Sequence, residues 1–176
     1  MIISPKKAID LGWITNVPSH CIQPNAIDFT VDRVFHIDQH SCFRLVEDKH
    51  TGQTINKVMA AQMEILPTNL IYSSPSSGAL VFEGWRLLPS SVYDIMSNMY
   101  VSLPPGIAAR LIIRSTANRS GCLLSSGLYD SGFKGNCGFT LHTYTLTELS
   151  CGVRIGQIIF EASEFESLLK RVVYSC

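Results

Sequence analysis

The sequence predicts an all-β domain, a barrel-like jelly roll or double-sheet roll with helices only at its margins. Three observations predict it. Short apolar runs of strand length follow one another, among them "ALVFEGWRLLP", "NMYVSLP", "IAARLIIRS", "GNCGFTLHTYTL" and "GVRIGQIIFEAS". Pro, Gly and Ser turns separate these runs, and "AIDFTVDRVFHI" alternates apolar and polar residues as one or two half-buried strands do. Strands this short must close two faces on one another to bury a core, and 176 residues suffice for one such domain over residues 1–176.

The remaining elements fit around that plan. "SPKKAIDLGWI" reads as a short helix, with Ser4 at its cap, Pro5 in the first turn and Gly12 past its end. "NKVMAAQMEILP" reads as either helix or strand, and "SSPSSG", Ser73 to Gly78, as a loop. "EFESLLKRVVY" reads as a terminal helix or a helix-to-strand tail. No linker, repeat or low-complexity tract divides the chain.

Composition narrows the function classes. Charged residues are 16% of the chain and the formal net charge is zero, which argues against a general nucleic-acid surface while allowing a local cationic pocket. No run of 18 apolar residues reads as a membrane span, and "MIISPKKAIDLGW" lacks the pattern of a signal peptide, so the expectation is a cytoplasmic protein with no membrane partner. The six cysteines form no CxxC pair and read as reduced, buried thiols rather than zinc ligands. The five histidines form no HExxH.

One stretch, "RLIIRSTANRSGCLLSSGLYDSGFKG" from Arg110 to Gly135, carries the chemistry. A strand end delivers Arg114 and Ser115 to a turn, and "TANRSG" exposes Arg119 nearby. Guanidinium forks, hydroxyls and backbone N–H groups suit phosphate oxygens. "GLYDSGFKG" is a glycine-flanked turn with a single acid, Asp130, where backbone can approach a ligand closely. "GVRIGQIIF" adds Arg154 and Gln157 from a later strand.

The blocks "IQPNAIDF", "RSTANRSG", "GLYDSGFKG" and "GVRIGQIIF" resemble, in order and approximate spacing, those of the dCTP deaminase/dUTPase superfamily. The lead-in "SPKKAIDLGWI" before "IQPNAID" is closer to the deaminase branch. The resemblance implies a dUTPase-like fold assembling as a homotrimer, with sites at subunit boundaries. It also implies a deoxypyrimidine triphosphate, dUTP or dCTP, as the ligand, with Mg2+ carried on its phosphates. Carried across residue by residue, it places Arg114, Ser115 and Arg119 at the phosphates and Gln157 near the nucleotide. Phe133 falls at the deoxyribose, and Asp130 falls where the hydrolases orient or activate water. Asp28 matches the first block's aspartate and reads as structural support; Arg154 reads as a structural or intersubunit ion-pair partner. Tyr129 stands where the pattern has an aliphatic residue.

Two departures matter. The deaminase branch places a glutamate proton shuttle at the position of Thr140, and threonine cannot shuttle protons at neutral pH. His142, two residues on and on the same strand face, is the substitute visible in sequence. The glycine-rich closing arm of trimeric dUTPases and the tail of the deaminases are both absent from the end of the sequence. The expectation is therefore a dUTP diphosphatase acting through Asp130. The alternatives are a dCTP deaminase, dUTP-forming or bifunctional and dUMP-forming, and a catalytically weak nucleotide-binding trimer.

Overall fold

The computed structural model describes residues 1–74 and 78–162. After helix α1 (Pro5–Asp10), fourteen strands follow among the described residues, with a 3-10 turn at Ser19–Cys21 and one further short α-helix. They are β1 (Ile14–Thr15), β2 (Ile27–Thr30), β3 (Arg33–Ile37), β4 (Arg44–Glu47), β5 (Thr54–Val58), β6 (Gln62–Ile65), β7 (Thr68–Ser74), β8 (Gly78–Leu87), β9 (Ser91–Ser102) and β10 (Ile107–Ile113). Helix α2 (Ser115–Arg119) precedes β11 (Cys122–Ser125), β12 (Lys134–Thr143), β13 (Thr147–Ser150) and β14 (Arg154–Ala162). The mainly β, dUTPase-like architecture expected from the sequence is the one observed.

The largest sheet runs β11-β12-β9-β3-β6, with β1 also paired to β9; a second runs β10-β14-β2, a third β13-β8-β7, and β4 and β5 form a separate hairpin. The core lies between the first two sheets, where the rings of Phe29 on β2 and Phe139 on β12 stand 4.9 Å apart. Trp85, Tyr93, Phe160 and Ile158 are fully buried in the same cluster. Each such side chain contributes about 1.5–3 kcal/mol by leaving water. Trp85 keeps its indole N–H satisfied by donating to the carbonyl of Ile65.

Several expectations are refined. α1 begins at Pro5 and Gly12 takes φ +70 after its end, but the Ser4 hydroxyl makes no capping bond. "AIDFTVDRVFHI" splits into two strands in different sheets, and β2 is buried on both faces rather than half-buried. "NKVMAAQMEILP" is extended in β5 and β6. The loop expected at Ser73–Gly78 contributes Ser73 and Ser74 to β7 and Gly78 to β8. The turn expected after Arg114 is instead one turn of helix, α2. Cys21, Cys122 and Cys137 are buried free thiols, whereas Cys42 and Cys151 are exposed. The terminal "EFESLLKRVVY" lies outside the described residues.

Candidate active site

Strand β10 organises the candidate residues, because its two ends carry different chemistry. At its C-terminal end, the last β10 pair is Ile113 with Gly156 of β14, and the chain then passes through Arg114 into α2. On the neighbouring strand pair, Gln157 of β14 faces Asp28 of β2. Asp28 is only 1% exposed and is saturated with donors. Gln157 Nε2 donates to Oδ1 at 2.9 Å, Arg154 Nη1 to Oδ2 at 3.1 Å, and Gln23 Nε2 to Oδ2 at 3.2 Å. Arg114 Nε stands 3.9 Å from Oδ1, while its Nη1 donates to the carbonyl of Arg154 at 3.1 Å. Two guanidiniums thus share one carboxylate, leaving an excess positive charge whose side chains are about a third exposed, 34% and 35%.

The knot fixes Arg114 without exhausting it. Its Nη2 has no partner among the described residues and is free for an outside anion. Ser115 and Arg119, four residues apart on α2, share one exposed helix face. Thr116 and Ser120 share another, which with Arg114, Arg154, Leu149 and Val153 lines a cavity of about 420 Å³. The Ser115–Arg119 face is open surface, and the cavity beside α2 is bordered by both arginines of the Asp28 knot.

The other end of β10 holds the turn with Asp130. Tyr129 and Ala109 exchange both backbone hydrogen bonds, at 2.9 and 2.8 Å. The turn from Asp130 to Phe133 closes with Phe133 N donating to the Asp130 carbonyl, and Gly132 supplies the φ of +86 that a side chain would resist. Leu103 clamps the turn from outside: its N–H donates to the Phe133 carbonyl and its carbonyl accepts from Gly132 N. The backbone is held at both ends, yet the Asp130 side chain is exposed and has no hydrogen-bond or ion-pair partner among the described residues.

Tyr129 has a structural explanation that its sequence position did not offer. Strand β11 leaves β12 after Ser125 pairs with Thr140, and the β12 register shifts between Asn136 and Gly138. The Tyr129 hydroxyl fills the gap: it donates to the Gly138 carbonyl at 2.7 Å and accepts from Gly138 N at 2.9 Å. One phenol replaces the backbone of a missing strand residue. Burial pushes its ionisation up to about 12. Its ring packs on Phe133, centroids 4.7 Å apart, so the aromatic expected at a sugar is also part of this brace.

Within one chain the structure does not bring the two groups of candidates together. From Ala109, beside Tyr129, to Arg114 the strand advances five residues, about 17 Å at the usual rise. Thr140 and His142 sit on the outer face of the large sheet, both half-buried; Thr140 pairs with Ser125 and Asp94, and His142 with Leu123 and Val92. Sequence reading missed Asp94. It lies within an ordinary alternating strand, and only the register places it opposite Thr140.

A β-sandwich with an arginine knot at one end of β10 and a free carboxylate on a braced turn at the other defines the class. The chain belongs to the dCTP deaminase-like family, whose sequence profile matches residues 6–163. Among its relatives, a dUMP-forming dCTP deaminase of Bifidobacterium longum is 29% identical over 143 residues, covering 79% of this chain and 65% of that protein. A probable deoxyuridine 5'-triphosphate nucleotidohydrolase of Methanosarcina barkeri is 32% identical over 80 residues, 44% of this chain and 47% of that one. The fold superposes on the 2'-deoxycytidine 5'-triphosphate deaminase of Agrobacterium tumefaciens with a TM-score of 0.62 at 14% identity, covering 96% of this chain and 51% of that chain. This chain thus spans about half to two thirds of the length of these proteins.

No helix among the described residues is long and apolar enough to cross a membrane. Among the same residues no three His, Cys, Asp or Glu side chains gather into a metal cage. A lone exposed carboxylate such as Asp130 fits a Mg2+ ion held chiefly by phosphate oxygens and water, the usual binding mode of that ion beside nucleotides.

Proposed function

We propose that the chain hydrolyses dUTP to dUMP and diphosphate, in an assembly where Asp130 of one copy meets Arg114, Ser115 and Arg119 of another. The observation that carries this reading is the free carboxylate of Asp130 on a turn whose backbone is fixed from both sides. A general base must be fixed in position while keeping its lone pairs available. Asp130 satisfies both conditions, and Asp28, saturated by three side-chain donors, satisfies only the first.

In this reading Asp130 accepts a proton from the water that attacks the α-phosphorus and aims that water in line with the departing diphosphate. Arg119, Ser115 and the free Nη2 of Arg114 hold the phosphate oxygens and offset the charge that builds on them. Gln157, with one N–H committed to Asp28, has a second N–H to offer the nucleotide. Phe133, braced by Tyr129, presents an apolar ring to the deoxyribose. Mg2+ bound to the phosphates supplies further charge neutralisation. The 17 Å spacing along β10 supports an assembly of copies, since one chain alone does not complete the site, and the family resemblance makes that assembly a homotrimer. Exposed Ile112, Leu123 and Leu128 offer apolar area for such contacts. Thr140 supports hydrolysis over glutamate-dependent deamination.

The test is direct. Incubation of the full chain with dUTP and Mg2+ releases diphosphate in proportion to enzyme concentration. No release above background at high enzyme concentration overturns the reading.

A further inference from the structure

An open sheet edge presents unpaired backbone N–H and C=O groups, and natural chains blunt such edges with charge, proline, bulges or shortness. Most edges here are blunted. Among the described residues, β6 carries Glu64 paired to Arg33, β13 carries Glu148 paired to Arg86, and β10 carries Arg110 paired to Glu161. β2 carries Asp28, and the β4–β5 hairpin carries Arg44, Glu47 and Lys57. β1 and β11 are only two and four residues long.

Strand β7 has none of these protections. Among the described residues it is the outer strand of the β13-β8-β7 sheet, seven residues of sequence "TNLIYSS" with no charge and no proline. Its ladder with β8 runs from Thr68–Gly84 to Ser74–Gly78 without a register shift, so no bulge turns the edge away. Ile71 pairs with Val81 and Tyr72 with Leu80, and all four side chains are more than half exposed. Successive residues point to opposite faces, so this ribbon is apolar on both.

The strand is also complementary to itself. A two-fold axis perpendicular to the sheet at Ile71 sets Ile71 of one copy opposite Ile71 of the other, and Leu70 opposite Tyr72. With the β8 partners added, one face carries the row Val81–Ile71–Ile71–Val81, and the other carries two rows of Leu80–Tyr72–Leu70–Phe82. Cross-strand pairs of aromatic and branched apolar residues are among those that stabilise neighbouring strands. A slip of two residues sets Ile71 opposite Asn69 or Ser73 and loses the match. The charges of β8, Glu83 and Arg86, lie beyond Phe82 and away from the axis, so like charges do not meet.

We propose that β7 pairs antiparallel with β7 of a second copy in this register, joining two three-stranded sheets into one of six strands. The contact is isologous, the same surface serving on both copies. None of Arg114, Ser115, Arg119, Asp130, Phe133 and Gln157 lies on the β13-β8-β7 sheet. The contact is therefore separate from the candidate active site, and it adds a two-fold to whatever assembly that site requires.

The experiment compares the full chain with Ile71→Lys by light scattering over a concentration series. The expected result is a wild-type mass at least twice that of Ile71→Lys at the highest concentration, with equal melting temperatures. Ile71→Cys then reads the register: under mild oxidation a disulfide joins the substituted positions of two copies, and mass spectrometry identifies it. Val81→Cys forms no such bond, because the two β8 strands lie three strand spacings apart, about 14 Å, beyond disulfide reach. Equal masses for wild type and Ile71→Lys overturn the proposal. So does cross-linking of Ile71→Cys no greater than that of the wild type, whose Cys42 and Cys151 are exposed.

Discussion

Asp28 and Asp130 are the same residue type near opposite ends of one strand system, and they are prepared for opposite tasks. Asp28 is buried, receives hydrogen bonds from Gln157, Arg154 and Gln23, and has Arg114 alongside. Its lone pairs are consumed in holding arginines still. Asp130 sits on a turn whose backbone is tied to Ala109 and Leu103 through its neighbours, while its carboxylate is bare. A family block marks both positions in sequence, but only the partners distinguish a carboxylate that positions others from one free to take a proton.

Four substitutions break or sharpen that contrast. The largest effect belongs to Asp130→Asn, which keeps the turn and removes the base: dUTP turnover falls about 10²–10⁴-fold while the melting temperature is unchanged. A comparable loss of stability would show that Asp130 supports structure as Asp28 does. Asp28→Ala reverses the pattern. Leaving the two arginines and two glutamines without their shared acceptor costs about 2–3 kcal/mol, less than for a fully buried pair because both arginines reach water. Chemical denaturation measures it, and a neutral result would show that the knot is not holding the sheet.

Tyr129→Phe comes next. It leaves Gly138 N–H and C=O without their partner and costs about 1–2 kcal/mol. Nuclear magnetic resonance should show faster hydrogen exchange at the Gly138 amide, and an unchanged rate would mean that the phenol is not its partner. Asp94→Asn gives the smallest of the three stability effects. A raised carboxyl ionisation means the folded chain binds the proton more tightly than the unfolded chain. Asp94 therefore lowers stability progressively as pH rises from its unfolded value near 3.8 through its raised folded value. Removing the charge raises the melting temperature slightly at pH 7 and leaves it unchanged at pH 3. The opposite sign would mean that Asp94 has an unrecognised cationic partner.

These contrasts also show which features are legible in the sequence. The β architecture follows from alternation and turn residues, and the Pro5 start of α1 was readable because helix entry has its own chemistry. α2 was not, since "STANR" is too short for periodicity and its Ser and Asn are as common in turns. The isolated β4–β5 hairpin gave no signal for a related reason: its strands are exposed throughout, so no buried face imposes a pattern. Asp28 and Asp130 were found as family positions, whereas Asp94 was invisible because its meaning lies in the β9–β12 register. The reason for Tyr129 likewise appears only once β11 is seen to end two pairs short of Gly138.

The central claim is that the free carboxylate and the arginine face work together only across two copies. Mixing Asp130→Asn with Arg119→Ala, each inactive alone, tests it most directly. If sites form between copies, unfolding and refolding the two variants together restores about a quarter of wild-type dUTP hydrolysis, because random assembly pairs an intact Asp130 with an intact Arg119 in that fraction of sites. Activity no higher than the sum of the separate variants, from a mixture shown to form mixed assemblies, would contradict the account.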